Sequence, residues 1–276
     1  MAAEGRADGI EGATELRLSL VLPCYNEEEV LRNTVQRLVA AFRSHGNPTI
    51  ELVLVENGST DATGQVIDAL VAEGLPVVKV VVPENKGYGF GVLRGLRVAR
   101  GRLVGFVCAD GQVDPHDVVK VYDIAAQSRS PKLVKVRRRF RMDGFKRKVT
   151  SVVYNCLTAC MFGGLGSIDL NGNPKIMPRE YLEQMNLQSW DWFLDAEVLI
   201  KAKRLHLPVF EMNVIAQLRE GGRSNVRLDT CWEFMVNLLR YRFGRAARPD
   251  AAPFGGDAHV PSIAKAHAPR KGHDES

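Results

Sequence analysis

Long apolar runs are missing from this sequence. No stretch approaches the roughly 18 to 20 apolar residues of a spanning helix. The longest apolar segment, residues 152–161, is interrupted by Tyr154, Asn155 and Thr158. The chain is therefore expected not to cross a bilayer unaided, although it can still lie on one. Cysteine is scarce: five residues, at 24, 108, 156, 160 and 231, with no Cys-x-x-Cys spacing. An odd count without paired spacing reads as reduced thiols in a cytosolic protein and leaves no legible zinc site. Cys156 and Cys160 share a helical face and read as small buried residues. The leader, residues 1–15, is small, polar and mildly acidic, without the apolar centre of a signal peptide. Two phosphate-binding signatures are absent as well. No Gly-x-Gly-x-x-Gly follows the first apolar run, and there is no Walker motif. Gly87-Tyr88-Gly89-Phe90-Gly91 is only superficially similar.

What is present is ordinary globular composition: 276 residues, 45% hydrophobic and 25% charged. That length supports one large α/β domain or two small ones. The net charge of +5 suggests an anionic partner without naming it. From residue 16 to about 127 a short apolar run, a polar turn and a helical segment recur. The runs at 18–22, 50–55, 77–82 and 103–107 are rich in Val and Leu, as buried parallel strands are. Helices are predicted at 27–44, 60–72, 89–100 and 115–127. The first carries Val30, Leu31, Val35, Leu38, Val39 and Phe42 at helical spacing. Ser59 or Thr60 is placed to cap the second, with Asp61 at its positive end. This alternation predicts a right-handed βαβ sheet.

Residues 130–148 differ, with nine basic residues and one acid. A strand at 133–136 opens the stretch and a helix at 147–162 follows. A Gly-rich break at 163–175, a helix at 190–204, an edge or mixed strand at 208–218 and a last helix at 230–241 complete the pattern. The expected organisation is a flexible leader at 1–15, one folded domain at 16–244 and a disordered tail at 245–276.

In an open parallel sheet, ligands bind beyond the carboxyl ends of the strands. The first run is followed by Pro23-Cys24-Tyr25-Asn26-Glu27 and the second by Glu56-Asn57-Gly58-Ser59. The third is followed by Pro83-Glu84-Asn85-Lys86-Gly87 and the fourth by Ala109-Asp110-Gly111-Gln112. One such run is ordinary turn chemistry. Four in succession point to a shared polar site.

The segments "VLPCYNEEEVL", "LVENGSTDAT", "NKGYGFGVLRGL" and "ADGQVDP" resemble, in order, the motifs of family 2 glycosyltransferases. The basic stretch, "VYN", "DLNGNPK" and "EGGRSN" are similar to the polyprenyl-phosphate branch, which includes dolichol-phosphate mannosyltransferase. The resemblance, over about residues 16–225, implies a GT-A fold: a Rossmann-like three-layer α/β/α sandwich with a mostly parallel central sheet. It implies that Pro23, Tyr25, Glu27, Glu56, Asn85 and Lys86 contact the nucleotide. Asp110 and Gln112 would hold a Mg²⁺ or Mn²⁺ on the donor diphosphate, with Asp110 also counted as catalytic. Oxygen donors suit such hard cations. The chain departs from the family at Asn57, which stands for a second acid, and at Cys108, which stands for the first acid of Asp-x-Asp. A thiol is a poor ligand for Mg²⁺.

A phosphate monoester has a second pKa of about 6, so as an acceptor it needs cations rather than a general base. Lys135, Arg137, Arg138, Arg139, Arg141, Lys146, Arg147 and Lys148 supply them, or else form a solvated charge run. By resemblance, Arg139 and Arg147 are catalytic cations, Arg138, Lys175, Arg223 and Ser224 contact the acceptor phosphate, and Asp169 positions acceptor or sugar. For a hydroxyl acceptor, Asp191 or Asp195 would be the base, unless both are helix N-terminal acids, an ambiguity Glu197 shares. Trp190 and Trp192 suit either a sugar face or the core. The implied activity is inverting transfer of a hexose from a GDP- or UDP-sugar to a polyprenyl phosphate. The implied setting is the cytoplasmic membrane surface, with a membrane-spanning partner protein as one means of anchorage. Two alternatives stay open: a soluble glycosyltransferase acting on a saccharide or small-molecule hydroxyl, and a degenerate nucleotide-sugar-binding homologue. Nucleic acid is not expected as a partner, since only Phe140 and Phe145 interrupt the basic run.

Overall fold

The computed structural model describes residues 15–46, 48–139 and 156–215, together with 236, 238, 239 and 241; at Arg139 only the backbone is described. Seven strands form one sheet: β1 (Leu18–Cys24), β2 (Ile50–Asn57), β3 (Val77–Val82), β4 (Leu103–Phe106), β5 (Leu133–Arg139), β6 (Lys175–Pro178) and β7 (Val209–Ile215). Their order is β3-β2-β1-β4-β6-β5-β7. Only β6 runs against the rest, pairing antiparallel with both β4 and β5. Among the described residues the helices are α1 (Leu31–Ser44), α2 (Thr63–Ala72), α3 (Tyr88–Val98), α4 (Pro115–Ala126), α5 (described over 156–162), α6 (Arg179–Met185) and α7 (Leu194–Arg204), and residues 236, 238, 239 and 241 are helical as well.

Two hydrophobic cores lie on opposite faces of the sheet. Leu18, Leu20 and Leu22 of β1 pack with α1, α2 and α4. Val21 on the same strand points the other way, with Val53, Val55 and the apolar sides of α3, α6 and α7. A strand buried on both faces is apolar at most positions, which is why these runs are continuous rather than alternating, and the buried exceptions Ser19 and Glu51 bond each other at 2.5 Å. The three-layer, mostly parallel architecture is the one the sequence implies.

The first turns differ from expectation. Helix α1 starts at Leu31 rather than at 27, and α2 at Thr63 rather than at 60. Asp61, not Ser59 or Thr60, meets the start of α2, its Oδ1 accepting from Thr63 N at 3.0 Å. The unpredicted strand β6 begins where the Gly-rich break ends, and α6 follows directly after β6. Cys156 and Cys160 are exposed on α5 instead of buried. Among the described residues no helix is long and apolar enough to cross a membrane. Residues 1–14 and those after 241, which include the last residues of the expected folded domain and the expected tail, lie outside the described residues.

Candidate active site

The carboxyl ends of β1, β2 and β4 meet at one edge, and the loops after β1 and β2 are stapled together. Asn26 N donates to Ser59 Oγ at 3.3 Å, and Thr60 N to Asn26 Oδ1 at 2.8 Å. Glu27 N donates to Thr63 Oγ1 at 2.9 Å, and Ser59 N to Glu56 Oε1 at 2.6 Å. Pro23, Tyr25, Glu27 and Glu56 therefore share one rim. Asn85 Oδ1 accepts from Gly87 N at 2.9 Å, fixing the turn that carries Lys86, whose Nζ lies 5.8 Å from the Phe90 ring centre. Asn57 is buried, and its Nδ2 donates to Gly87 O at 3.2 Å. An aspartate could not donate that bond, which gives a local reason for the amide at this position.

Gly87-Tyr88-Gly89-Phe90-Gly91 does not form a phosphate loop. A Cβ on Gly87 would lie 2.5 Å from Trp190 O, and one on Gly89 2.4 Å from Ser189 O. The glycines admit the backbone of 189–191 onto the start of α3, where Phe90 N donates to Trp190 O at 2.9 Å. Trp192 stacks on Tyr88 with ring centres 4.2 Å apart, and Trp190 meets Phe90 edge-on at 4.8 Å. Both tryptophans thus serve packing. Glu197 anchors the same loop, accepting from Ser189 N at 2.8 Å and from Gln188 N at 3.1 Å.

Asp110 follows β4 in a tight turn, its Oδ1 accepting from Gln112 N at 3.2 Å across Gly111, which holds φ +70°. Burial, then the charges of Asp110 and Asp195, raise the Cys108 thiol well above the usual thiol range, outweighing Arg138 and Lys175. Cys108 is thus a neutral thiol at pH 7. Asp110 and Gln112 offer hard oxygen donors within one turn. That set fits a cation that takes its remaining ligands from phosphate and water. No group of three His, Cys, Asp or Glu among the described residues is arranged to hold an ion.

The antiparallel strand completes the site. Phe106 pairs with Lys175, Lys175 with Lys135, and Lys135 with Glu211, a row across β4, β6, β5 and β7. Both lysines are fully buried and each has its own acid. Lys175 Nζ bonds Asp195 Oδ1, Gly172 O (3.1 Å) and Asn173 Oδ1 (3.2 Å). Lys135 Nζ bonds Glu211 Oε1 at 2.8 Å and the carbonyl of Asp169. Lys135 and Lys175, expected as phosphate cations, are internal ion-pair partners with their donors spent. The correction has a physical reason: a lysine lying inside a sheet must be paired where it lies. Asp195, expected as a base for a hydroxyl acceptor, is fully buried with Lys175. Asp191 caps its own turn, Oδ1 accepting from Phe193 N at 2.8 Å.

Arg138, at the exit of β5, reaches Asp169 with Nε to Oδ2 at 2.9 Å and Nη2 to Oδ1 at 3.0 Å. Burial pushes the Asp169 carboxyl up, but the Arg138 bonds and charge, with Lys135 behind, reverse this and hold it well below the usual carboxylate range. Tyr88 links this region to α3, accepting from Asn173 Nδ2 at 3.2 Å. Arg147, Arg223, Ser224, Arg141, Lys146 and Lys148 lie outside the described residues, as does the Arg139 side chain. Sequence reasoning overlooked Glu211, Ser167 and Asn173. Its place as the one acid in a mostly apolar strand was the available signal for Glu211.

Residues 19–184 match the family described as glycosyl transferase family 2. The chain belongs to that family. This family 2 glycosyltransferase is 32% identical over 235 residues to the dodecaprenyl-phosphate galacturonate synthase of Rhizobium johnstonii, across 83% of this chain and 67% of that protein. It is 33% identical over 144 residues to the undecaprenyl-phosphate 4-deoxy-4-formamido-L-arabinose transferase of Aeromonas hydrophila subsp. hydrophila, across 51% of this chain. That match spans 43% of the arabinose transferase, less than half its length. Among solved structures, glucosyl-3-phosphoglycerate synthase from Mycobacterium tuberculosis, in complex with Mn²⁺, UDP and glucosyl-3-phosphoglycerate, superposes with a TM-score of 0.64. The identity is 22%, over 88% of this chain and 87% of that one, so the likeness is one of fold. The family 2 chain thus has the GT-A architecture its motifs imply.

Proposed function

We propose that this family 2 enzyme transfers a hexose, with inversion, from a nucleoside diphosphate sugar to a polyprenyl phosphate at the membrane surface. The observation that carries the reading is the Arg138–Asp169 pair. Of the carboxylates the sequence offers as a base, Asp195 is committed to Lys175 and Asp191 accepts from Phe193 N, while Asp169 is committed to Arg138. A carboxylate held in that state is a weak base, which suits an acceptor that is already anionic. A phosphate monoester is such an acceptor. Two of the five guanidinium N–H groups of Arg138 serve Asp169; the side chain is 22% exposed, and its other edge would serve a phosphate. Arg139, Arg147, Arg223 and Ser224 would complete that grip. The relatives named for dodecaprenyl and undecaprenyl phosphate support the same class.

On the donor side, Pro23, Tyr25, Glu27, Glu56, Asn85 and Lys86 line the rim for nucleoside and ribose. Asp110 and Gln112 would hold Mg²⁺ or Mn²⁺; a cation bound there neutralises the charge that builds on the departing nucleoside diphosphate. Solvent-facing thiols at Cys156 and Cys160 suit a reducing, cytoplasmic location.

The test is turnover of labelled nucleotide sugars with Mn²⁺ and a short-chain polyprenyl phosphate, beside titration of UDP and GDP. The expected result is a lipid-linked sugar and metal-dependent nucleotide binding, both lost in Asp110→Ala. Absence of any lipid-linked product across the common donors overturns the reading. Transfer to a free saccharide instead marks a soluble glycosyltransferase, and nucleotide binding without transfer to any acceptor marks a degenerate one.

A further inference from the structure

We propose that Glu211 and Lys135 are positioning residues for the acceptor, acting through the turn that presents Asp169 to Arg138. The inference rests on the acceptor reading above and names the groups that set its geometry.

The turn at 167–173 connects no sheet pairs of its own, yet it is held at both ends. Glu211, on the edge strand, accepts from Ser167 Oγ at 2.5 Å and from Asp169 N at 3.3 Å through Oε1, and from Ile168 N at 3.0 Å through Oε2. Three successive residues of the turn thus hang on one carboxylate. Lys135 holds that carboxylate from the facing strand at 2.8 Å and reaches Ser167 Oγ at 3.2 Å, as well as the Asp169 carbonyl. Lys175 takes the far end through Gly172 O at 3.1 Å and Asn173 Oδ1 at 3.2 Å. A Cβ on Gly172 would lie 2.1 Å from Val136 O, so the turn is pressed directly onto β5.

Such an arrangement exceeds what closing a surface turn requires. Two ion pairs lie side by side in the sheet, Lys175–Asp195 fully buried and Lys135–Glu211 buried on its lysine side, where apolar residues of similar volume would give comparable stability. What the ions add is orientation. They fix the Asp169 backbone at both N–H and carbonyl, and Asp169 in turn fixes the Arg138 guanidinium plane. Recognition of a phosphate by arginine depends on that plane. Neither Glu211 nor Lys135 faces the phosphate itself, since their side chains are 11% and 0% exposed.

The test compares two ligands on the full chain. Geranyl phosphate probes the acceptor grip by calorimetric titration, and UDP or GDP with Mn²⁺, whichever the wild type binds, probes the donor site. Glu211→Gln keeps the shape of the side chain and removes its charge; it should weaken geranyl phosphate about tenfold, the weight of one charge-assisted hydrogen bond. Nucleotide affinity should change by less than about twofold. Ser167→Ala removes one strand of the latch and should shift geranyl phosphate binding in the same direction by about threefold, with folding retained. It carries the test alone if Glu211→Gln does not fold. Parallel loss of both ligands, or no change in either at equal folded fraction, overturns the positioning role while leaving the acceptor reading intact. A wild type that binds nucleotide but not geranyl phosphate removes the acceptor reading and this inference with it.

Discussion

Arg138 and Asp169, thirty-one residues apart, meet through three hydrogen bonds: two from the guanidinium and one from the Arg138 backbone N–H, at 3.1 Å to Oδ2. Backbone and side chain of one residue thus converge on a single carboxylate. The pair closes β5 onto the 167–173 turn and sets a cation at the sheet edge where Asp110 also lies.

Removing the charge from that pair should register in both stability and binding. Asp169→Asn leaves Arg138 with one neutral acceptor in a mostly buried place. The expected loss is about 2 kcal/mol, below the range for a fully buried pair because Arg138 is partly exposed. Urea midpoints measure it, and geranyl phosphate affinity should fall in the same variant.

Asp169 also predicts acid behaviour. Its folded carboxyl lies below the unfolded value of about 3.9. Its contribution is therefore fully present above that unfolded value and is lost as pH falls through the folded one. Urea midpoints should decline on acidification below about pH 5, less steeply in Asp169→Asn. Lys135 acts in the alkaline range. Burial, then its Lys175 neighbour, lowers its ammonium from 10.5 to about 8 despite Glu211. Between those values the unfolded chain binds the extra proton, so this term should favour folding increasingly from pH 8 to 10.5 and vanish in Lys135→Met.

Lys175 and Asp195 invite a double-mutant cycle. Each side chain is 0% exposed, so either single change strands a buried charge. Lys175→Met and Asp195→Leu should each cost about 3–5 kcal/mol, and the double variant should recover most of that. Additive losses in chemical denaturation would show that the pair is not coupled.

Gly89→Ala tests the packing of the 188–193 loop on α3. The added carbon would meet carbonyl oxygens of Ser189 and Asp191 at 2.4 and 2.6 Å. Overpacking of this kind costs about 1–3 kcal/mol. Melting temperature should fall, and fluorescence should shift, because two of the three tryptophans stand in that loop.

The first half of the chain was legible in the sequence because its signals are local. Buried parallel strands need unbroken Val and Leu runs, and the turn residues that end them mark the site edge directly. Asp110, Gln112, Glu56 and Asn85 follow from that pattern, and the order of the motifs fixed the family. Beyond residue 130 the signals are long-range. β6 is four residues at the end of a Gly-rich stretch, too short to show a period, and it becomes a strand only because β4 and β5 leave a place between them. The fate of each charge was decided there. Lys135, Lys175 and Arg138 look alike in the sequence as members of one basic surplus. The sheet buries the first two against Glu211 and Asp195 and leaves Arg138 at the strand exit. Composition counts charges, but whether a charge meets its acid inside the sheet, as the two lysines do, or at the edge, as Arg138 does with Asp169, depends on which strand lies beside it, and that register exists only in the folded sheet.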